Sequence, residues 1–162
     1  LVAAALAVAL AGAAHAGDLG GSGGSASLKP PRARRGLEPD AALKLGQAHG
    51  LAARRVESNP SCRALFTELG ASGEDKLAEA IYMQAPPEVV ERRCRGGAAA
   101  AINPGTALTW VCPAFSSLKV QRAALTLIHE ALHSAGMPER PQTPGARSSA
   151  EINDLVRDRC GL

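Results

Sequence analysis

The chain has 162 residues, of which 46% are hydrophobic, and 18 Lys and Arg against 15 Asp and Glu leave a formal net charge of +3. That length supports one small domain, and so mild a charge, without a basic face interleaved with aromatics, argues against nucleic-acid binding. The only aromatic residues are Phe66, Tyr82, Trp110 and Phe115, so the core must be built from Ala, Leu, Val and Ile, and such a core gains from covalent staples.

The chain begins at Leu1 rather than Met, so a longer precursor is expected. Residues 1–16 form an uncharged apolar run closing on Ala14-His15-Ala16, the pattern of a secretory signal and its cleavage site. The run is shorter than the roughly 20 residues a membrane helix needs. No membrane span is expected here or later, and the mature protein is expected to be secreted or periplasmic. Residues 17–36, "GDLGGSGGSASLKPPRARRG", are Gly/Ser-rich and then basic, and they read as a disordered tether. Its Lys29, Arg32, Arg34 and Arg35 are expected to be solvated, to touch an anionic envelope surface, or to mark a processing site.

The folded domain is expected over residues 37–162. Residues 37–56 have helical spacing with Pro39 suited to a first turn, although Gly46 and Gly50 weaken the pattern. His49 in this segment reads as structural or exposed rather than as a ligand. "CRALFTEL" continues as a short helix, "SGEDKLAEAIYMQ" as another capped by Ser72, and "PPEVVERRC" as a third. Two short apolar runs, residues 98–102 and 107–112, flank Asn103-Pro104-Gly105, and the turn chemistry predicts a β-hairpin. Pro113 ends its second strand. The fold class is α+β: a small helix-rich domain with a short hairpin or sheet packed on the helix that follows.

Cys62, Cys94, Cys112 and Cys160 are the four cysteines. In an exported chain an even count points to two disulfides, and no CxxC pair is present to chelate a structural metal. The favoured pairing joins Cys62 with Cys94, which flank the helical segment, and Cys112 with Cys160, which would pin the last helix. The other two pairings remain open.

"SSLKVQRAALTLIHEALHSAG" has a Ser start, a Gly stop and an apolar stripe of Leu125, Ile128, Leu132 and Ala135. Residues four apart share a helix face. His129 and His133 can therefore present two neutral nitrogens to one zinc ion (Zn2+), with Glu130 placed to act as a base beside it. No charge other than Glu130 interrupts the helix from Thr126 to Met137.

This HExxH segment in its uncharged helix resembles the active-site helix of zincin metallopeptidases, over roughly residues 106–151. Gly136 and Glu139 fall where the metzincin pattern HExxHxxGxxH places its glycine and third ligand, so the resemblance implies Glu139 as the third donor. The metzincin pattern has His or Asp at that last position, and no Met follows Met137 to make a Met-turn. Gluzincins take a glutamate from a second helix, and Glu151 in "SSAEINDLVRDRC" is the candidate there, although Ser148 and Glu151 also form a capping box. The order strand, Cys-Pro-x-Phe, HExxH is similar to the deuterolysin-like aspzincins, whose GTxxD motif is missing; Asp154 is the nearest acid by position. Glu139 is preferred, then Glu151, then Asp154.

The implied function is a secreted zinc-dependent endopeptidase, a hydrolase acting on a peptide or protein substrate with Glu130 activating the attacking water. The strand over residues 107–112 would offer an edge to that substrate. Tyr82 and Arg140 are the candidates for stabilising an oxyanion, and neither is assigned. The alternative is a non-catalytic zinc-binding envelope module of zincin-like shape.

Overall fold

A computed structural model describes residues 28–103 and 105–162. The expected signal at 1–16 and the tether up to residue 27 lie outside the described residues. The tether expected through residue 36 ends earlier, because residues Ala33–Arg35 form strand β1 alongside a second strand, β2 (Ile81–Gln84). The pairing is parallel, so backbone hydrogen bonds order a stretch whose side chains alone would not.

Helix α1 (Pro39–Ser58) starts with Pro39 in its first turn and runs through both glycines. It buries Ala41, Leu45, Ala48, His49, Ala52, Ala53 and Val56, a stripe that recurs every three or four residues. That periodic burial outweighs the modest helix cost of Gly46 and Gly50. Asn59 then caps α2 (Pro60–Thr67) by accepting from the backbone N–H groups of Ser61 and Cys62. Ser72 caps α3 (Gly73–Glu79) through the N–H of Asp75. Gly73 is required by packing: a Cβ there would sit 2.6 Å from both Phe66 and Val56 side chains.

The helix expected over "SGEDKLAEAIYMQ" stops at Glu79, and its last four residues are strand β2. Ala80 turns to an extended conformation, and Ile81 and Tyr82 have the shapes that favour a pleated, half-buried surface. Strand β2 gains hydrogen-bonded partners on both sides, which a third helical turn could not offer. Helix α4 (Pro87–Arg93) follows, then a short 3-10 turn over Arg95–Gly97 and the expected hairpin: β3 (Ala100–Ile102) antiparallel to β4 (Leu108–Val111).

The sheet order is β1-β2-β4-β3, with β1, β2 and β4 parallel and β3 antiparallel at the edge. The strand expected to offer an edge to substrate, β4, is therefore internal, since β2 and β3 occupy both its sides. The outer strand on this flank is β3.

Helix α5 (Val120–Ser134) lies at the centre, packed against α1, α3, β3 and the last helix, α6 (Ser149–Cys160). It lacks the expected Ser start. Lys119 stands at its cap without a side-chain bond, because the preceding serines belong to a 3-10 turn over Pro113–Ser117, where Ser116 Oγ donates to the Pro113 carbonyl. The buried alanines of α5 (Ala123, Ala124, Ala131) and of α1 (Ala48, Ala52) make the core shallow in side-chain volume.

Two disulfides close the structure, and neither expected pairing is observed. Cys62 pairs with Cys160, and Cys94 with Cys112. The reason is spatial: α2 packs against α6, which brings Cys62 to the C-terminal turn of the chain. Cys94 closes α4 next to β4, so its partner is the residue that follows that strand. The two disulfides point to an oxidising environment. Among the described residues no helix is long and apolar enough to cross a membrane.

Candidate metal centre

The 3.6-residue repeat of α5 puts His129, Glu130 and His133 at its buried end, 5%, 7% and 4% exposed. The two imidazoles converge, with Nε2 of His129 and Nε2 of His133 3.0 Å apart. Past the helix, Ala135 ends the last turn and Gly136 takes φ +98°, in the left-handed region where a Cβ would be strained. That turn brings the chain back so that Glu139 Oε2 lies 3.2 Å from His133 Nε2. The ligand atoms of His129, His133 and Glu139 all lie within 4.8 Å of one another, a group that could hold a metal ion.

The far side of each ring settles its tautomer. His133 Nδ1 donates to the Met137 carbonyl at 2.8 Å, and His129 Nδ1 donates to Asn153 Oδ1 at 3.0 Å. The Met137 backbone carbonyl can only accept, so in a neutral His133 ring the proton sits on Nδ1 and Nε2 carries a bare lone pair; with Asn153 Oδ1 as acceptor, a neutral His129 takes the same tautomer. Two lone pairs then face each other, with a carboxylate beside them. Burial, with the neighbouring imidazole as a smaller cause, holds His129 down to about 4, which keeps its ring neutral at physiological pH. Three acceptors with no donor between them repel one another; a cation among them removes that conflict.

Of the three candidate third donors, Glu139, Glu151 and Asp154, it is Glu139 that belongs to this group. Glu151 Oε2 instead closes the capping box of α6, accepting from Ser148 N and Ser148 Oγ at 2.7 Å each, and from Arg140 Nη2 at 2.6 Å. The Ser148 bonds, with Arg140 behind them, hold its carboxyl down to about 2. Asp154 is exposed and pairs with Arg157. A backbone bond from Arg140 N to Arg147 O, 2.8 Å, closes the Pro-rich loop between Glu139 and α6. His49 is structural: its Nε2 meets the Leu77 carbonyl at 3.1 Å, and burial lowers its pKa.

Glu130 stands at the side of the group nearest the sheet. Burial, reinforced by the charge of Glu139, pushes its carboxyl up to about 8, against the pull of a backbone hydrogen bond from Ile102 in β3. It lines a cleft of about 340 Å³ together with His129, Asn153, Thr126, Arg122, Arg95 and residues 98–100. The cleft therefore runs from His129 and Glu130 to Ala100, the first residue of β3. Tyr82 and Arg140, the oxyanion candidates, do not line it. Tyr82 is buried in the sheet, where burial raises its phenol above the ordinary value. Arg140 is held by Glu151.

No protein-family model, curated protein or solved structure matches this chain.

No sequence motif marks Asn153, unlike its neighbours Glu151 and Asp154. The available signal was its place beside Ile152, on the edge of the stripe Ile152, Val156, Cys160 that α6 buries. Its contact with His129 carries a test. Asn153→Leu should weaken metal binding by about ten-fold or more, the range for lost partners of metal-ligating histidines. Glu139→Ala should weaken it at least as much, and Glu151→Ala should leave it unchanged while lowering the melting temperature by loss of half of the capping box. Competition titration against a chromophoric chelator measures the first effects, and thermal denaturation the last. Equal metal affinity in wild type and both site variants would reject the ligand assignment.

Proposed function

We propose that the protein is an exported zinc-dependent endopeptidase of zincin type. The observation that carries this reading is the convergence of His129 Nε2, His133 Nε2 and the Glu139 carboxylate beside a cleft that His129 and Glu130 line. The donor set fits zinc. With metal–ligand bonds near 2.0–2.1 Å, tetrahedral donors lie about 3.3 Å apart, and the pairs here are 3.0 Å and 3.2 Å. Two imidazoles and one carboxylate also leave a fourth position free, as a catalytic rather than a structural site requires.

Zinc bound there would polarise the scissile carbonyl and lower the pKa of a water molecule. The rest of the chemistry belongs to the chain. A cation held beside it would favour the ionised form of Glu130; that carboxylate takes a proton from the attacking water as the water oxygen bonds to the carbonyl carbon, and returns the proton to the amide nitrogen as the C–N bond breaks. Asn153 and the Met137 carbonyl keep both rings in the tautomer that leaves Nε2 free. Strand β3 offers an unpaired edge, among the described residues, along which an extended peptide can lie. The disulfides and the sequence of residues 1–16 support export to a secreted or periplasmic location.

The test combines metal content with cleavage. Zinc-loaded protein should hold one equivalent by elemental analysis, and cut members of a diverse peptide library, as read by mass spectrometry. His133→Ala and chelator treatment should abolish both. Failure to retain zinc after loading rejects the site; stoichiometric zinc without cleavage replaces the peptidase with a non-catalytic zinc-binding module.

A further inference from the structure

Two arginines line the same cleft as His129 and Glu130: Arg122, on α5, and Arg95, in the 3-10 turn after α4. Both are exposed, and among the described residues neither has a salt-bridge partner. Their charges face one space from two separate elements, and among the described residues the only acid lining that space is Glu130. Guanidinium groups left without a counter-ion in a concave site attract an anion, and bind carboxylates in bidentate fashion.

Spacing along the helix limits where that anion sits. Arg122, Thr126, His129 and Glu130 lie at i, i+4, i+7 and i+8, on one face. Seven residues at 1.5 Å each put Arg122 about 10 Å along the axis from His129. Long helical side chains lean toward the N-terminus, so both side chains shift the same way and the offset persists. An extended peptide covers about 10 Å in three residues.

We propose that Arg95 and Arg122 form a carboxylate subsite, which selects peptides carrying an acidic group about three residues from the scissile bond. This rests on the peptidase reading of the metal centre. The carboxylate has two possible sources of shared chemistry, an Asp or Glu side chain or the peptide's own C-terminus.

Equilibrium binding separates this subsite from catalysis. Zinc-loaded Glu130→Gln protein is titrated into fluorescent peptides that differ only by Glu or Gln at the third position, each with a free or an amidated C-terminus. The Glu peptide should bind about tenfold more tightly than the Gln peptide at low salt, and the ratio should shrink as salt rises. Loss of affinity on amidation alone would assign the C-terminal carboxylate as the ligand. In R95Q/R122Q the ratio should fall to about one, whereas R95K/R122K should keep part of it. Circular dichroism checks that each variant is folded; both sites are exposed, which favours this. Equal binding of Glu and Gln, free and amidated peptides, or a preference unchanged in R95Q/R122Q, overturns the subsite, as does undetectable binding of every peptide. Cleavage of neutral and acidic peptides alike by the wild type would reject the subsite while leaving the peptidase intact.

Discussion

Replacing Glu130 with Gln should leave zinc content at one equivalent and reduce peptide cleavage by about 10²–10⁴-fold, the range for removing a positioned general base. Glutamine keeps the shape and the hydrogen bond toward β3 but cannot accept the water's proton. A structural effect is separable from this, because the same substitution should raise the stability of the metal-free protein at high pH. Burial shifts the carboxyl from its ordinary 4.5 to about 8 in the folded state. The folded form therefore holds its proton more tightly than the unfolded form. The stability associated with that proton is present in full below about pH 4.5 and is lost as pH rises through 8. Glutamine has no proton to lose. Above pH 8 the variant should exceed wild type, by an amount on the order of a few kcal/mol, in chemical denaturation. A variant that is inactive because it is unfolded would show the opposite. Unchanged cleavage by a folded, zinc-loaded Glu130→Gln would reject Glu130 as the base.

Removing the Cys62–Cys160 disulfide should be the most damaging covalent change. It closes a loop with a sequence separation of 98 residues, against 18 for Cys94–Cys112. On the chain-entropy account these correspond to about 4–5 kcal/mol and about 3 kcal/mol. The first is comparable to much of the total stability of a small domain. The consequences should also differ in kind. Cys160 holds the end of α6, whose Asn153 orients His129, so Cys62→Ala/Cys160→Ala should lower metal affinity along with the melting temperature. Cys94 and Cys112 anchor the turn that carries Arg95 and residues 98–100. Their double alanine variant should loosen the cleft wall and spare the metal. Differential scanning calorimetry and zinc titration on both variants give the comparison. A smaller melting-point drop for the long loop than for the short one, or mapping that links Cys62 to Cys94, would contradict this account.

What the sequence determined unaided was local. The spacing of His129 and His133, the adjacency of Glu130, and the turn at Gly136 that returns Glu139 all follow from backbone geometry within eleven residues. Helical pitch and the steric freedom of glycine act at that range, so the grouping of His129, Glu130, His133 and Glu139 is legible without a fold. The same holds for the Ser148 capping box and for the hairpin around Asn103. Tertiary structure decided everything that joins distant segments. Residues 81–84 could have extended α3, and became β2 only because β1 and β4 supply hydrogen bonds on either side. The cysteine pairing followed the packing of α2 on α6, which no spacing of cysteines encodes. Asn153 reaches His129 from 24 residues away; Arg95 and Arg122 line one cleft from separate elements. Local rules fix which side chains share a helix face, but the partners across a core depend on how all the faces are buried at once.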